Sequence, residues 1–129
     1  MSEKVVFDAS ALLILLQEEN GSEKLRCLLD YAVMSTVNIS EVLHVLDRNN
    51  VSIEETLPLI NDMITEIVPF DIEQAELSAK LFSDPSIKGL SLGDRSCIAL
   101  GIKMGISIYT ADQLWKKVKI PGANIILAR

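Results

Sequence analysis

Histidine occurs once in this sequence, at His44, and cysteine twice, at Cys27 and Cys97. A single His argues against a Ser-His-Asp type of triad and against a zinc site. The two cysteines are far apart and match no metal-ligand spacing. They read as lone thiols in apolar helical stretches, buried in the protein of a reducing compartment. Aromatic residues are only 5% of the chain, whereas 49% is apolar, so the core must be built from Ile, Leu, Val and Ala. Glycine and proline are also sparse, with 6 and 4 copies, and no repeat, low-complexity tract or linker interrupts the pattern. The 129 residues are therefore read as one domain, 1–129, long enough to bury a core. Positive charge is in deficit: 12 Lys and Arg stand against 18 Asp and Glu, a net charge of −6. An acidic chain is a poor electrostatic match for nucleic acid, so a nucleic-acid role needs cations placed locally, as side chains or as metal. The longest apolar run, Val5 to Leu16, is interrupted by Asp8 and Ser10 and is too short to span a bilayer. Gln17, Glu18 and Glu19 follow it where a signal peptide would carry a small-residue cleavage site. The expectation is a cytoplasmic protein with no membrane partner.

What the sequence does have is alternation. Short β-branched runs at Lys4–Phe7, Ala32–Thr36, Ile67–Phe70, Ile106–Tyr109 and Asn124–Leu127 predict strands, with helical patterns between them. Ser52 with Glu55, and Asp71 with Gln74, have the spacing of capping boxes. Ile72, Ala75, Ala79 and Phe82 then repeat at helical spacing, and Pro58 predicts a kink or short break in the helix around Ile53–Ile64. Strands alternating with helices predict βαβ units and a parallel sheet with right-handed crossovers. In such a sheet the carboxyl ends of the strands share one edge, where ligands bind. Helices that follow strands begin there, and helices that lead into strands also have their N-termini there.

Four acids map to that edge. Asp8 ends the first strand run; it suits an N-cap, yet it lies inside an apolar stretch where an unpaired Asp is rarely tolerated. Asp112 follows Ile106-Ser-Ile-Tyr through Thr110 and Ala111 and suits a cap for a short helix at Gln113–Val118. Asp94, three residues after Ser91, fits a capping box, but the helix it opens is apolar almost all round, as a buried element is. Glu41 borders the core stripe of Ile39, Val42, Leu43 and Leu46, beside Asn38 and His44, and alone reads as a solvated helical Glu. The conjunction changes the reading. Two carboxylates about 5 Å apart repel by about 3 kcal/mol at an effective dielectric of 20, a large load for a small domain. Mg²⁺ or Mn²⁺, hard ions that favour carboxylate oxygen and water, relieve it directly.

Phe7-Asp8-Ala9-Ser10-Ala11, Asn38-Ile39-Ser40-Glu41-Val42, Leu90-Ser91-Leu92-Gly93-Asp94-Arg95 and Tyr109-Thr110-Ala111-Asp112 occur in the order and spacing of PIN-domain nucleases. The whole chain resembles the VapC-type toxins of toxin–antitoxin pairs. This resemblance implies a three-layer α/β/α sandwich with a mostly parallel central sheet, and a Mg²⁺- or Mn²⁺-dependent endoribonuclease that hydrolyses phosphodiester bonds with metal-activated water. It carries metal-ligand roles to Asp8, Glu41, Asp94 and Asp112, a polar role beside the metal to Thr110, and secondary polar roles to Ser10 and Asn38. Gln113 stands where some PIN nucleases have a further acid. The resemblance also implies an RNA substrate, products with 5′-phosphate and 3′-hydroxyl ends, a homodimer, and a cognate antitoxin. Leu12–Leu16 and Leu25–Leu29 offer an apolar groove for an antitoxin helix, although core packing explains the pattern equally well. Lys116, Lys117 and Lys119 could hold RNA phosphates, but a solvated helix end is the favoured reading.

Rival classes fit less well. A phosphoacceptor signalling domain wants paired acids after the first strand and a Lys after the last, and neither is here. A haloacid-dehalogenase phosphatase needs a second Asp where Ser10 stands. A PIN-fold module that only binds RNA or protein, or a housekeeping RNA-processing nuclease, remains the alternative.

Overall fold

The β-branched runs fold as strands β1 (Val5–Phe7), β2 (Ala32–Ser35), β3 (Glu66–Val68), β4 (Ile108–Thr110) and β5 (Ile125–Leu127). This is a computed structural model, and it describes residues 3–85, 87 and 89–129. Every pairing is parallel, in the order β3-β2-β1-β4-β5. β3 ends before Pro69, which has no N–H to give to the ladder.

Among the described residues six α-helices connect the strands: α1 (Ala9–Leu16), α2 (Ser22–Arg26), α3 (Thr36–Arg48), α4 (Ile53–Met63), α5 (Ile72–Ser83) and α6 (Leu92–Met104). Alternate strand residues face opposite ways and so build two cores. Val5, Phe7, Ala32 and Met34 pack with buried residues of α1, α3 and α4 on one face. Val6, Val33 and Ile108 pack with α6, Leu81 of α5 and Trp115 on the other. The result is the expected α/β/α sandwich. Residues Arg95 to Gly101 of α6 are all buried, and the helix touches β1, β2, β4, α3 and α5. Among the described residues no helix is long and apolar enough to cross a membrane.

Two local expectations need correction. α4 runs through Pro58 without a break; Pro58 and Glu54 are both exposed, so water can take the Glu54 carbonyl that loses its helical donor. Cys27 is exposed, because α2 ends at Arg26 and Cys27 only caps it, whereas Cys97 is buried as expected; both thiols are free. The repeat Ile72–Phe82 does mark a helix, yet α5 buries Gln74, Ser78 and Leu81 and leaves Ile72 85% and Phe82 51% exposed.

Candidate metal centre

The strand order reverses direction between β1 and β4, and that switch point is where an open α/β sheet leaves a crevice at the strands' carboxyl ends. Asp8 leaves β1 there and Asp112 follows β4, while α3 brings Glu41 and the first turn of α6 brings Asp94. All four line one cavity of about 230 Å³, with Ser10 and Asn38. A larger groove of about 750 Å³ beside β5 holds Lys116 and Lys119 but no carboxylate; the titratable chemistry belongs to the smaller cavity.

The capping roles and the pocket coexist, because capping commits only part of each acid. Asp8 Oδ1 accepts from the Ala11 amide at 2.8 Å and the Ser10 hydroxyl at 2.7 Å, and Oδ2 accepts from Thr110 Oγ1 at 2.5 Å. Behind these hydroxyls, the Ala111 amide donates to Ser10 Oγ and the Asp112 amide to Thr110 Oγ1. Backbone N–H groups of the β4 loop thus polarise both hydroxyls toward Asp8. Ser91 and Asp94 form the full reciprocal capping box. Asp112 Oδ1 caps the 3₁₀ turn Gln113–Lys117 through the Leu114 amide at 2.9 Å. Asn38 Nδ2 donates to Glu41 Oε1 at 2.7 Å. Glu41 Oε2 and Asp112 Oδ2 accept no hydrogen bond from the described residues.

Electrostatics sets the pocket apart. Burial pushes the Asp8 carboxyl up to about 6, against hydrogen bonds from Thr110, Ser10 and Ala11 that pull it down, and the Asp94 charge raises it further. Burial also raises Glu41 and Asp94; Asp94 repels Glu41, and Asp112 repels Asp94. Asp94 is therefore the member that couples to the other three. The buried Cys97 thiol is pushed well above its usual range by burial and then by the charges of Asp8, Asp94 and Glu41, which removes it as a nucleophile. Among the described residues none of the four acids has a Lys or Arg partner within 4 Å. The Arg95 charge pulls Asp94 down but ranks last among the influences on it, so negative charge predominates in the pocket.

Among the described residues no three Asp, Glu, His or Cys side chains are already arranged as a metal cage. That does not conflict with a hard ion, because Mg²⁺ is usually held through one or two carboxylates with water completing its shell. A cavity of about 230 Å³ lined by four acids has the donors and the room for that mode, so the residues fit the group.

Thr110 is where the sequence placed it, buried against Asp8, and Ser10 and Asn38 also line or support the pocket. Lys116, Lys117 and Lys119 are exposed and lie outside its lining, as a solvated helix end requires. Two residues had no role assigned from sequence. Arg95 is 4% exposed; its Nε donates to the Leu90 carbonyl at 3.0 Å and its guanidinium stacks 3.6 Å from the Phe82 ring centre. It pins the segment that delivers Ser91 and Asp94. Gly93 is the second, and only the juxtaposition of α3 and α6 reveals it.

Fold and site together define a parallel α/β domain with an acid-lined crevice at its switch point. The sequence matches the PIN domain over residues 5–121, and the chain belongs to that family. No curated protein sequence matches. Among solved structures it is similar to the DNA-bound VapBC of Salmonella typhimurium, with TM-score 0.73 and 14% identity over 99% of this chain and 100% of that one. VapBC-5 of Mycobacterium tuberculosis, a toxin–antitoxin system, gives TM-score 0.71 and 20% identity over 98% and 99%. VapC20 of the same organism, a toxin that cleaves the sarcin–ricin loop, gives 0.71 and 13% over 91% and 97%.

Proposed function

We propose that this chain is a metal-dependent endoribonuclease, the toxin of a toxin–antitoxin pair, acting in the cytoplasm. In this reading Asp8, Glu41, Asp94 and Asp112 hold Mg²⁺ or Mn²⁺. The observation that carries the reading is the pocket itself: four carboxylates line one cavity, burial and neighbouring negative charge raise Asp8, Glu41 and Asp94, and among the described residues no Lys or Arg pairs with any of the four within 4 Å. Membership of the PIN family and likeness in fold to VapC-type toxins support it.

A divalent ion supplies Lewis acidity and makes water a better nucleophile toward a phosphodiester. The chain's own part is orientation. Ser10 and Thr110 lock the Asp8 carboxylate between two hydroxyls and the Ala11 amide, which fixes its orientation at the wall of the cavity. Asn38 holds Glu41, and the Ser91 cap holds Asp94.

Partners follow from the same surfaces. An antitoxin Arg could enter the pocket and bind a carboxylate through two parallel hydrogen bonds, in competition with metal. Leu12, Leu15 and Leu25 are consumed by the core, so an antitoxin helix would meet only the partly buried Leu13, Leu16, Leu28 and Leu29. The outward Ile72 and Phe82 of α5 support a second copy of the chain.

Purified protein with Mg²⁺ or Mn²⁺ is expected to cut structured RNA, and EDTA to stop it. Co-expression with the small protein encoded beside it should give a co-purifying complex with little cutting. RNA binding without cutting would favour the binding-module alternative. Cutting without toxicity or a complex would favour a housekeeping nuclease.

A further inference from the structure

Gly93 occupies the second residue of α6, one position before Asp94. Its backbone is ordinary helix, so no left-handed conformation requires glycine there. A glycine inside a helix costs about 1 kcal/mol relative to alanine, and that cost needs a reason. The surroundings supply one. A Cβ built on Gly93 would lie 2.3 Å from Cδ, Oε1 and Oε2 of Glu41. The Glu41 carboxylate thus rests directly on bare α6 backbone. Asn38 closes the arrangement: its Nδ2 donates both to Glu41 Oε1 at 2.7 Å and to the Gly93 carbonyl at 3.1 Å. Asn38 is 1% exposed, and its Oδ1 is buried without a partner among the described residues, so the amide is held for its donor end.

We infer that Gly93 is a positioning residue for Glu41: the missing side chain is the seat that turns an otherwise solvated helical Glu into the pocket beside Asp94. Any larger residue would evict the carboxylate. Because that carboxylate is the far end of a flexible side chain, it would swing clear instead of breaking the helix. The inference rests on the reading of the pocket as a metal site.

Mn²⁺ affinity, followed by loss of the free-ion spin-resonance signal, tests it in the metal-free protein and in Gly93→Ala, Glu41→Ala and the double variant. Gly93→Ala is expected to weaken Mn²⁺ binding by about 10–100-fold, the usual effect of removing an outer support of a metal ligand. Its metal-free melting temperature should equal or exceed that of wild type, since Ala is the better helix former. The double variant should bind no more weakly than Glu41→Ala, because the seat has lost its occupant. Wild-type affinity in Gly93→Ala would overturn the inference. So would an added loss in the double variant as large as in the single, or melting more than about 4 °C below wild type, which would mean that Glu41 cannot swing clear. No Mn²⁺ binding by wild type would sink the metal reading and this inference together; binding that Gly93→Ala leaves unchanged would sink this inference alone.

Discussion

Asp8→Asn is expected to abolish metal-dependent RNA cleavage while leaving the metal-free protein at least as stable as wild type. The loss should reach about 10³-fold, since a metal's stabilisation of transition-state charge amounts to several kcal/mol and about 4 kcal/mol is three decades in rate. Stability should go the other way. Asp8 is 5% exposed and its carboxyl is raised from 3.8 to about 6. Holding it ionised at neutral pH therefore costs the fold about 3 kcal/mol, which an amide of the same shape does not incur. Asn keeps an oxygen for the Ala11 amide, so the start of α1 stays capped, and the Thr110 hydroxyl can turn to accept from the new amide. Single-turnover cleavage with Mg²⁺ and melting in EDTA read the two halves separately. A variant that cuts at the wild-type rate, or melts well below it, would contradict the assignment.

The same carboxyl predicts a pH dependence of the metal-free protein. Its pKa is higher folded than unfolded, so between about 4 and 6 the folded state holds more protons and ν_U − ν_N is negative. The stabilising contribution is fully present below the unfolded value of 3.8 and is lost as pH rises through about 6. Relative to Asp8→Asn, wild type should lose about 2.5 kcal/mol on going from pH 4 to pH 7 in EDTA, a relative fall in melting temperature of about 8–10 °C. Saturating Mg²⁺ at pH 7 should recover much of it, because an ion that binds only the folded state stabilises by mass action. A difference between the two proteins that stays flat across this range would show that Asp8 carries no burial cost.

The strands and the acids were legible because both obey short rules. β-branched runs located all five strands to within a residue or two, and βαβ topology carried Asp8, Glu41, Asp94 and Asp112 to one edge. What sequence could not decide was which face of an element docks. The apolar repeat of α5 announced a helix, yet tertiary packing chose Gln74 and Ser78 for the inside, where Gln74 donates to the Pro69 carbonyl at 3.0 Å. A break at Pro58 does not occur, because the effect of a proline depends on whether the orphaned carbonyl meets water. Glu41 looked solvated on its own helix, since what seats it is the missing side chain of Gly93, 55 residues beyond the Asn38 that holds it. An absence of side chain carries no periodicity to read.

The central claim is that the four acids hold one divalent-ion site, and Asp94 is the acid whose charge couples to the other three. Calorimetric titration of Mn²⁺ into wild type and Asp94→Asn measures it without reference to any substrate. Saturable binding by wild type, weakened at least about 10-fold in the variant, is the expected result. Equal affinity in both proteins, or no binding by wild type, would contradict it.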